Sequence, residues 1–199
     1  MAEGRRPRAA TEEKRRRILD AAEEIMLKDG YAAISSRSVA AAVGIQAPLV
    51  HYYFQSLDDL FVAVLQRRAG RNVELMAEAL KSAEPLRAWW ELASDPRGTA
   101  LFVELLAAAN HRPALKAEVG GIAREVRRMQ MKALDTLLVE YGIDPNVFPP
   151  AFVAATIQGL AFSAVQDQAA GYDTSPEKAL AAMDQLVKRL ESRRKTPGR

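Results

Sequence analysis

The chain has 199 residues, 49% hydrophobic and 27% charged, enough for one core plus a small appended module and too apolar for general disorder. It contains no cysteine, which excludes disulfide frameworks and thiolate metal sites and suits a reducing cytoplasm. The formal net charge of +3 is uneven: +4 over residues 1–17, +5 over 188–199, and −6 between them. Such basic tails either hold phosphates or merely solubilise, and charge alone supports both readings.

In chain order, residues 1–10 read as a disordered basic arm without the apolar stretch of a secretory signal. Thr11 is placed to cap a helix whose first turn carries Glu12 and Glu13, with Ile18, Leu19, Ala22, Ile25 and Met26 on one face and Gly30 as its stop. A short helix follows from about Ser36 to before Gly44, a second from near Gln46, and a long one from about Ser56 to Ser82. Pro85, Pro96, Pro113, Pro145, Pro149-Pro150 and Pro176 then divide the remainder into helices, since proline suits a first turn and breaks an interior. With no strand-like alternation and no repeat, the fold class is all-α. About nine helices are expected, the first three a separate N-terminal unit and the rest a bundle.

Residues 36–54, SRSVAAAVGIQAPLVHYYF, have the requirements of a helix-turn-helix. Ala40 is small where the helices cross, and Gly44 stands where the turn needs positive φ. Val39, Val43, Ile45, Val50 and Tyr53 sit at the offsets that lock the crossing angle. Tyr53 and Phe54 read as core of this unit.

With the preceding helix, the ending Tyr52-Tyr53-Phe54-Gln55-Ser56-Leu57-Asp58-Asp59-Leu60 and the long helix after it, residues 11–65 closely resemble the TetR-type (TetR/AcrR) transcriptional regulators. The rest resembles that family only in length and helical layout. The resemblance implies a helix-turn-helix DNA-binding domain over 11–56, a helical ligand-binding and dimerisation domain over 57–194, and a flexible tail over 195–199. It also implies a cytoplasmic homodimer on a palindromic operator in double-stranded DNA, without membrane partner or cofactor.

Carried onto this chain, the DNA-facing residues are Gln46, Ala47, Pro48, Leu49, His51 and Tyr52 of the second motif helix, with Ser36 and Arg37 at the start of the first. Gln46 suits a base edge, Ala47, Pro48 or Leu49 a thymine methyl, and His51 and Tyr52 phosphates or neighbouring bases. Arg37 is the only Lys or Arg between Tyr31 and Arg67. Leu57 departs from the family, which usually has a phosphate-contacting Lys there. Arg5, Arg6, Arg8 and Arg15 to Arg17 are the expected substitutes.

In the C-terminal half, apolar stripes read first as core. The resemblance adds a cavity for a small, mainly apolar effector, with Trp89, Phe102, Leu105, Met129, Phe152 and Phe162 as walls and Asn110 or Gln158 as polar selectors. Trp89 and Trp90 lie about 100° apart on a helix, so one site cannot take both. The segment from Ala100 to Ala109 is expected to be buried nearly all round. Val119, Ile122, Val126, Met129, Ala133 and Leu137 form the stripe of the seventh helix. Ala151, Ala155, Gly159 and Ser163 make a seam of small residues, and Leu180, Met183, Val187 and Leu190 a 3-4 stripe. Together they are expected to pair two helices per subunit across a dimer interface, with packing inside one subunit as the other reading.

No catalytic constellation stands out. His51 and His111 lack metal-ligand spacing, Gly120-Gly121 is no phosphate loop, and Glu23-Glu24 and Asp58-Asp59 read as solvated or capping pairs. The chain is therefore read as non-enzymatic, without catalytic or metal residues. As a regulator it is expected to act as a repressor, since occupying a promoter needs no polymerase contact. The competing class is a helical carrier of an apolar ligand without specific DNA binding.

Overall fold

The structure, a computed structural model, describes residues 5–171 and 176–194. Among them are nine α-helices, one 3-10 turn and no strand. The helices are α1 (Arg5–Asp29), α2 (Ser36–Val43), α3 (Ala47–Tyr53), α4 (Leu57–Ala79), α5 (Pro85–Ala93), α6 (Pro96–Ala109), α7 (Pro113–Glu140), α8 (Pro150–Ala170) and α9 (Pro176–Arg193). The 3-10 turn, Tyr31–Ala33, follows α1. From α5 to α9 every helix opens on a proline, whose missing N–H is one of the first-turn donors that has no intrahelical acceptor anyway.

The helix expected from Thr11 begins at Arg5, so residues 5–10 are helix rather than disordered arm. Pro7 is tolerated there because it lies in the first turn, and Ala9 and Ala10 favour propagation. The tail expected over 195–199 lies outside the described residues.

Two compact units divide the chain: Met1–Ala69 with Ala100–Gly120, and Gly70–Thr99 with Gly121–Arg199. This division differs from a boundary after residue 56: the first part of α4, most of α6 and the start of α7 group with the N-terminal helices. Ion pairs distant in sequence make the link. Arg67 of α4 bonds Asp20 at 2.7 Å and also pairs with Glu23 on α1, while Arg112 pairs with Asp58 at the start of α4 and lies 4.5 Å from the centre of the Phe61 ring. This unit buries Ile18, Leu19, Ala22 and Met26 of α1 together with Leu60, Phe61, Val64, Leu101 and Leu105.

In the second unit α5 packs on α8 and α9. Both Trp89 and Trp90 are buried in one cluster with Leu134, Leu137, Tyr141, Ala154, Ile157 and Val187. Both can be buried because α5 is covered by two helices, α8 and α9. On α7 the deepest face of the second half runs through Gln130, Leu134, Leu137 and Leu138, and is continued by Tyr141 in the turn after the helix. The apolar stripe expected from Val119 to Ala133 is only half-buried, because the face rotates onto a polar residue. On α9, Leu180, Met183 and Leu190 pack against this cluster and Val187 lies inside it, so the stripe faces its own subunit.

The Tyr141 hydroxyl donates to Glu191 Oε2 at 2.6 Å, and Glu191 Oε1 accepts the Arg87 amide at 3.0 Å, tying the ends of α7, α9 and α5 together. Burial, and then the bond to Glu191, raise the Tyr141 phenol above its ordinary value of 10.0. Past about pH 10 an unfolded tyrosine loses its proton while Tyr141 keeps it. The folded state then holds more protons, and stability falls as pH rises. Tyr141→Phe is expected to be less stable at neutral pH and to lose less further stability between about pH 9 and about pH 11 than the unsubstituted chain. Urea midpoints measured across that range check it.

Candidate nucleic-acid interface

The first motif helix is fixed at both ends. At its start Ser38 N–H donates to Ser35 Oγ at 3.0 Å and Ser35 N–H to Ser38 Oγ at 2.9 Å, a reciprocal cap of the kind that stabilises a helix by about 1 kcal/mol. At its end Gly44 adopts φ 74 and ψ 38, the left-handed conformation, and Ile45 N–H returns to Ala40 O at 3.0 Å. Arg17 of α1 donates to Val43 O at 3.0 Å, occupying a carbonyl of the last turn. Between these ends Val39, Ala40 and Val43 are buried with Val50 of α3 and Phe54, while Ile45 and Tyr53 are half-buried. The crossing of α2 and α3 is thus held by small and branched apolar contacts around one left-handed glycine.

α3 opens at Ala47, with Gln46 as an extended cap residue whose side chain makes no capping bond and Pro48 in the first turn. Arg37, Gln46, Pro48, His51 and Tyr52 are exposed, Tyr52 by 75%, and Ser36, Ala47 and Leu49 are half-buried. The structure therefore brings the expected reading residues together on the two motif helices. Ser36 Oγ and His51 Nε2 share a 2.9 Å hydrogen bond that ties the start of α2 to the end of α3. Tyr52 stands edge-on to Tyr53 at 5.2 Å between ring centres.

Three of the arginines expected to replace the missing Lys at Leu57 are engaged locally. Arg15 lies 5.2 Å from the Phe54 ring centre, Arg16 pairs with Glu13 at 2.7 Å, and Arg17 holds Val43. Arg15 and Arg17 thus tie α1 to the motif, whereas Arg16 pairs within α1.

Two supports were not singled out in the sequence. Glu104 of α6 accepts the Tyr31 amide at 2.7 Å, just before the motif, and the Tyr31 and His111 rings stack at 6.5 Å. Arg112 pairs with Asp58 just after the motif. Glu104 lies within a run of apolar residues in the sequence, and no local signal marks its partner.

The expected cavity residues divide between the two units: Phe102, Leu105 and Asn110 in the first, Trp89, Met129, Phe152, Gln158 and Phe162 in the second. Trp89 and Leu105 are fully buried, and Met129 packs against the Trp89 cluster. Phe102, Asn110, Phe152 and Phe162 face solvent in the single chain. Gln158 accepts from Arg127 at 3.2 Å, so its carbonyl already has a partner. Of the expected interface residues, Ala155, Gly159 and Ser163 are exposed on one face of α8, whereas the α9 stripe is turned inward as described.

A capped short helix, a left-handed glycine turn and a second helix with polar and aromatic side chains outward form a helix-turn-helix. Residues 18–64 match the family model described as bacterial regulatory proteins, tetR family. The chain is 32% identical over 75 residues to the HTH-type transcriptional activator FasR of Mycolicibacterium smegmatis, covering 38% of this chain and 34% of that protein, about a third of the relative's length. A TetR-family structure from Streptomyces coelicolor A3 is 25% identical with a TM-score of 0.60, covering 89% of this chain and 98% of that one. A Saccharomonospora viridis structure solved in complex with choline has a TM-score of 0.72 at 18% identity, covering 91% and 96%, and shares the fold.

A Cβ at Gly44 would meet nothing within 4 Å, so substitution strains the backbone alone. Gly44→Ala is expected to cost about 1–2 kcal/mol, and Gly44→Asn less, because asparagine visits the left-handed region more readily. Chemical denaturation of the three proteins checks the order.

Proposed function

We propose that this DNA-binding regulator reads a palindromic operator as a homodimer, and that a small, mainly apolar effector alters its affinity. The observation that carries the reading is the outward row Gln46, Pro48, His51 and Tyr52 on α3, flanked by Arg37 and held in register by the Ser36–His51 bond. Gln46 and the apolar Ala47, Pro48 and Leu49 supply base-edge and thymine-methyl contacts, and Arg37, Ser36, His51 and Tyr52 supply phosphate contacts.

The outer face of α8 supports the dimer. Phe152, Ala155, Gly159, Phe162 and Ser163 are exposed there, and Leu186 is exposed on α9. Small residues let another helix approach closely and the phenylalanines supply apolar area, so this seam replaces the inward α9 stripe in the interface. α4 contributes residues to both units and is the element through which an effector would reach the reading head. The output proposed is repression by occupancy in the cytoplasm. Among the described residues no helix is long and apolar enough to cross a membrane.

Selection from random duplex DNA at near-physiological salt tests the whole reading. An inverted repeat with half-sites one helical turn apart, roughly 34–36 Å, is expected. Binding without enrichment that vanishes as salt rises would overturn it in favour of a helical carrier. A promoter fusion carrying the selected site separates repression from activation, and increased transcription would reverse the sign.

On the selected site, Arg37→Ala is expected to weaken binding to all sequences and reduce the salt slope by about one. Gln46→Ala should instead relax preference at one base position. Equal effects on matched and mismatched sites in both variants would remove Gln46 as a base reader.

A further inference from the structure

One buried side chain of the second unit has no place in DNA reading. Gln130, in the middle of α7, is 1% exposed and is the only polar residue among the buried side chains described. Its carbonyl oxygen, Oε1, is buried and has no hydrogen-bond partner; the only other such atom described is the hydroxyl of Ser82 in the turn after α4. Buried amide oxygens are nearly always paired, because desolvating one without a partner is unfavourable. A leucine or methionine here would pack without that penalty.

The surroundings can adapt. Gln130 lies one turn before Leu134 on the α7 face that continues through Leu137 and Tyr141 into the Trp89–Trp90 cluster. It is bracketed in sequence by Met129 and Met131, which both pack against that cluster, as does Met183, while Met76 lies within it. Methionine is unbranched and fills space in many rotamers, which lets an apolar surface re-form around different shapes. Towards the start of α7 the same side of the helix passes to half-buried Val126 and Ile122. The unpaired acceptor therefore sits where a tightly packed core gives way to a looser one.

We propose that Gln130 is the polar selector of the effector site, accepting a hydrogen bond from a neutral, mainly apolar molecule that carries a hydroxyl or amide N–H donor. This inference rests on the effector-responsive reading above and specifies the chemistry of its ligand. It replaces Asn110, which is exposed, and Gln158, whose carbonyl is held by Arg127. An uncharged acceptor among apolar and sulfur-bearing side chains favours a neutral donor over a cation, which would be desolvated without a counter-charge.

The chain's two tryptophans both lie in the cluster, so their emission reports occupancy directly. The full-length protein is titrated with matched pairs of equal size: decanol with methyl nonyl ether, and menthol with its isosteric hydrocarbon, in which a methyl replaces the hydroxyl. At least one alcohol is expected to change the emission saturably and to bind about tenfold more tightly than its mate. Gln130→Met should bind both members of the pair alike while melting at or above the temperature of the unsubstituted protein.

No saturable change with either alcohol would overturn the proposal. So would equal binding within each pair, the result expected if a buried water satisfies Oε1, or an unchanged preference in Gln130→Met. If that variant fails to fold, Gln130→Leu carries the same comparison. Failure to select an operator, with the alcohol preference intact, would remove the regulator reading and leave the ligand site standing.

Discussion

A helix of seven residues does not persist in water on its own, because nucleation costs more than two turns of hydrogen bonds return. α3, the proposed reading helix, is of this length, so everything it presents outward depends on how its neighbours hold it. The decisive constraint is the crossing with α2, made by Val39, Ala40, Val43 and Val50 around the left-handed Gly44. A larger residue at Ala40 would push the helices apart, and a strained turn would change their angle. Either change would move Gln46 and His51 relative to Arg37. The Ser36–His51 bond adds a polar tie across the same crossing, so the side chains that face outward also help to fix their own geometry.

That crossing is in turn gripped from both ends of the motif. Glu104 accepts the amide of Tyr31 before it, and Arg112 pairs with Asp58 after it. Both partners come from the α6–α7 region, 73 and 54 positions away along the chain. Charged groups suit this task because their bonds are directional: an apolar contact would let the motif slide, whereas a carboxylate on one backbone amide fixes position.

The local features were legible because each has a local cause. Proline openings, the left-handed glycine and the 3.6-residue spacing of Ile18, Ala22 and Met26 announced the helices and the motif. The features that escaped have distant causes. Nothing in the sequence near Asp58 points to Arg112, so the grouping of α6 with the N-terminal helices has no local signal. The burial of both tryptophans has a distant cause too, since a helical wheel describes α5 and not the α8 and α9 that cover it. On α7 Gln130 carries no apolar signal, although Leu134, Leu137 and Tyr141 project back onto it at helical spacing. Polarity concealed the residue whose position was most informative.

α8 reverses that problem, since it has too few polar residues to announce a solvent face. Ala154, Ile157 and Ala161 are buried in its own subunit, yet the opposite side offers Phe152, Ala155, Gly159 and Phe162 with only Thr156, Ser163 and Gln166 between them. A helix covered on one side normally carries charge on the other, where water solvates it. Here the outward side carries none from Ala151 to Gln166, and Phe152 is 55% exposed beside Phe148, their ring centres 6.0 Å apart. Exposed phenylalanines beside small residues are unfavourable in water and well shaped for another helix. In the proposed dimer a second copy of α8 would bring the same phenylalanines to the same small residues under two-fold symmetry, the relation that an inverted repeat in DNA would demand.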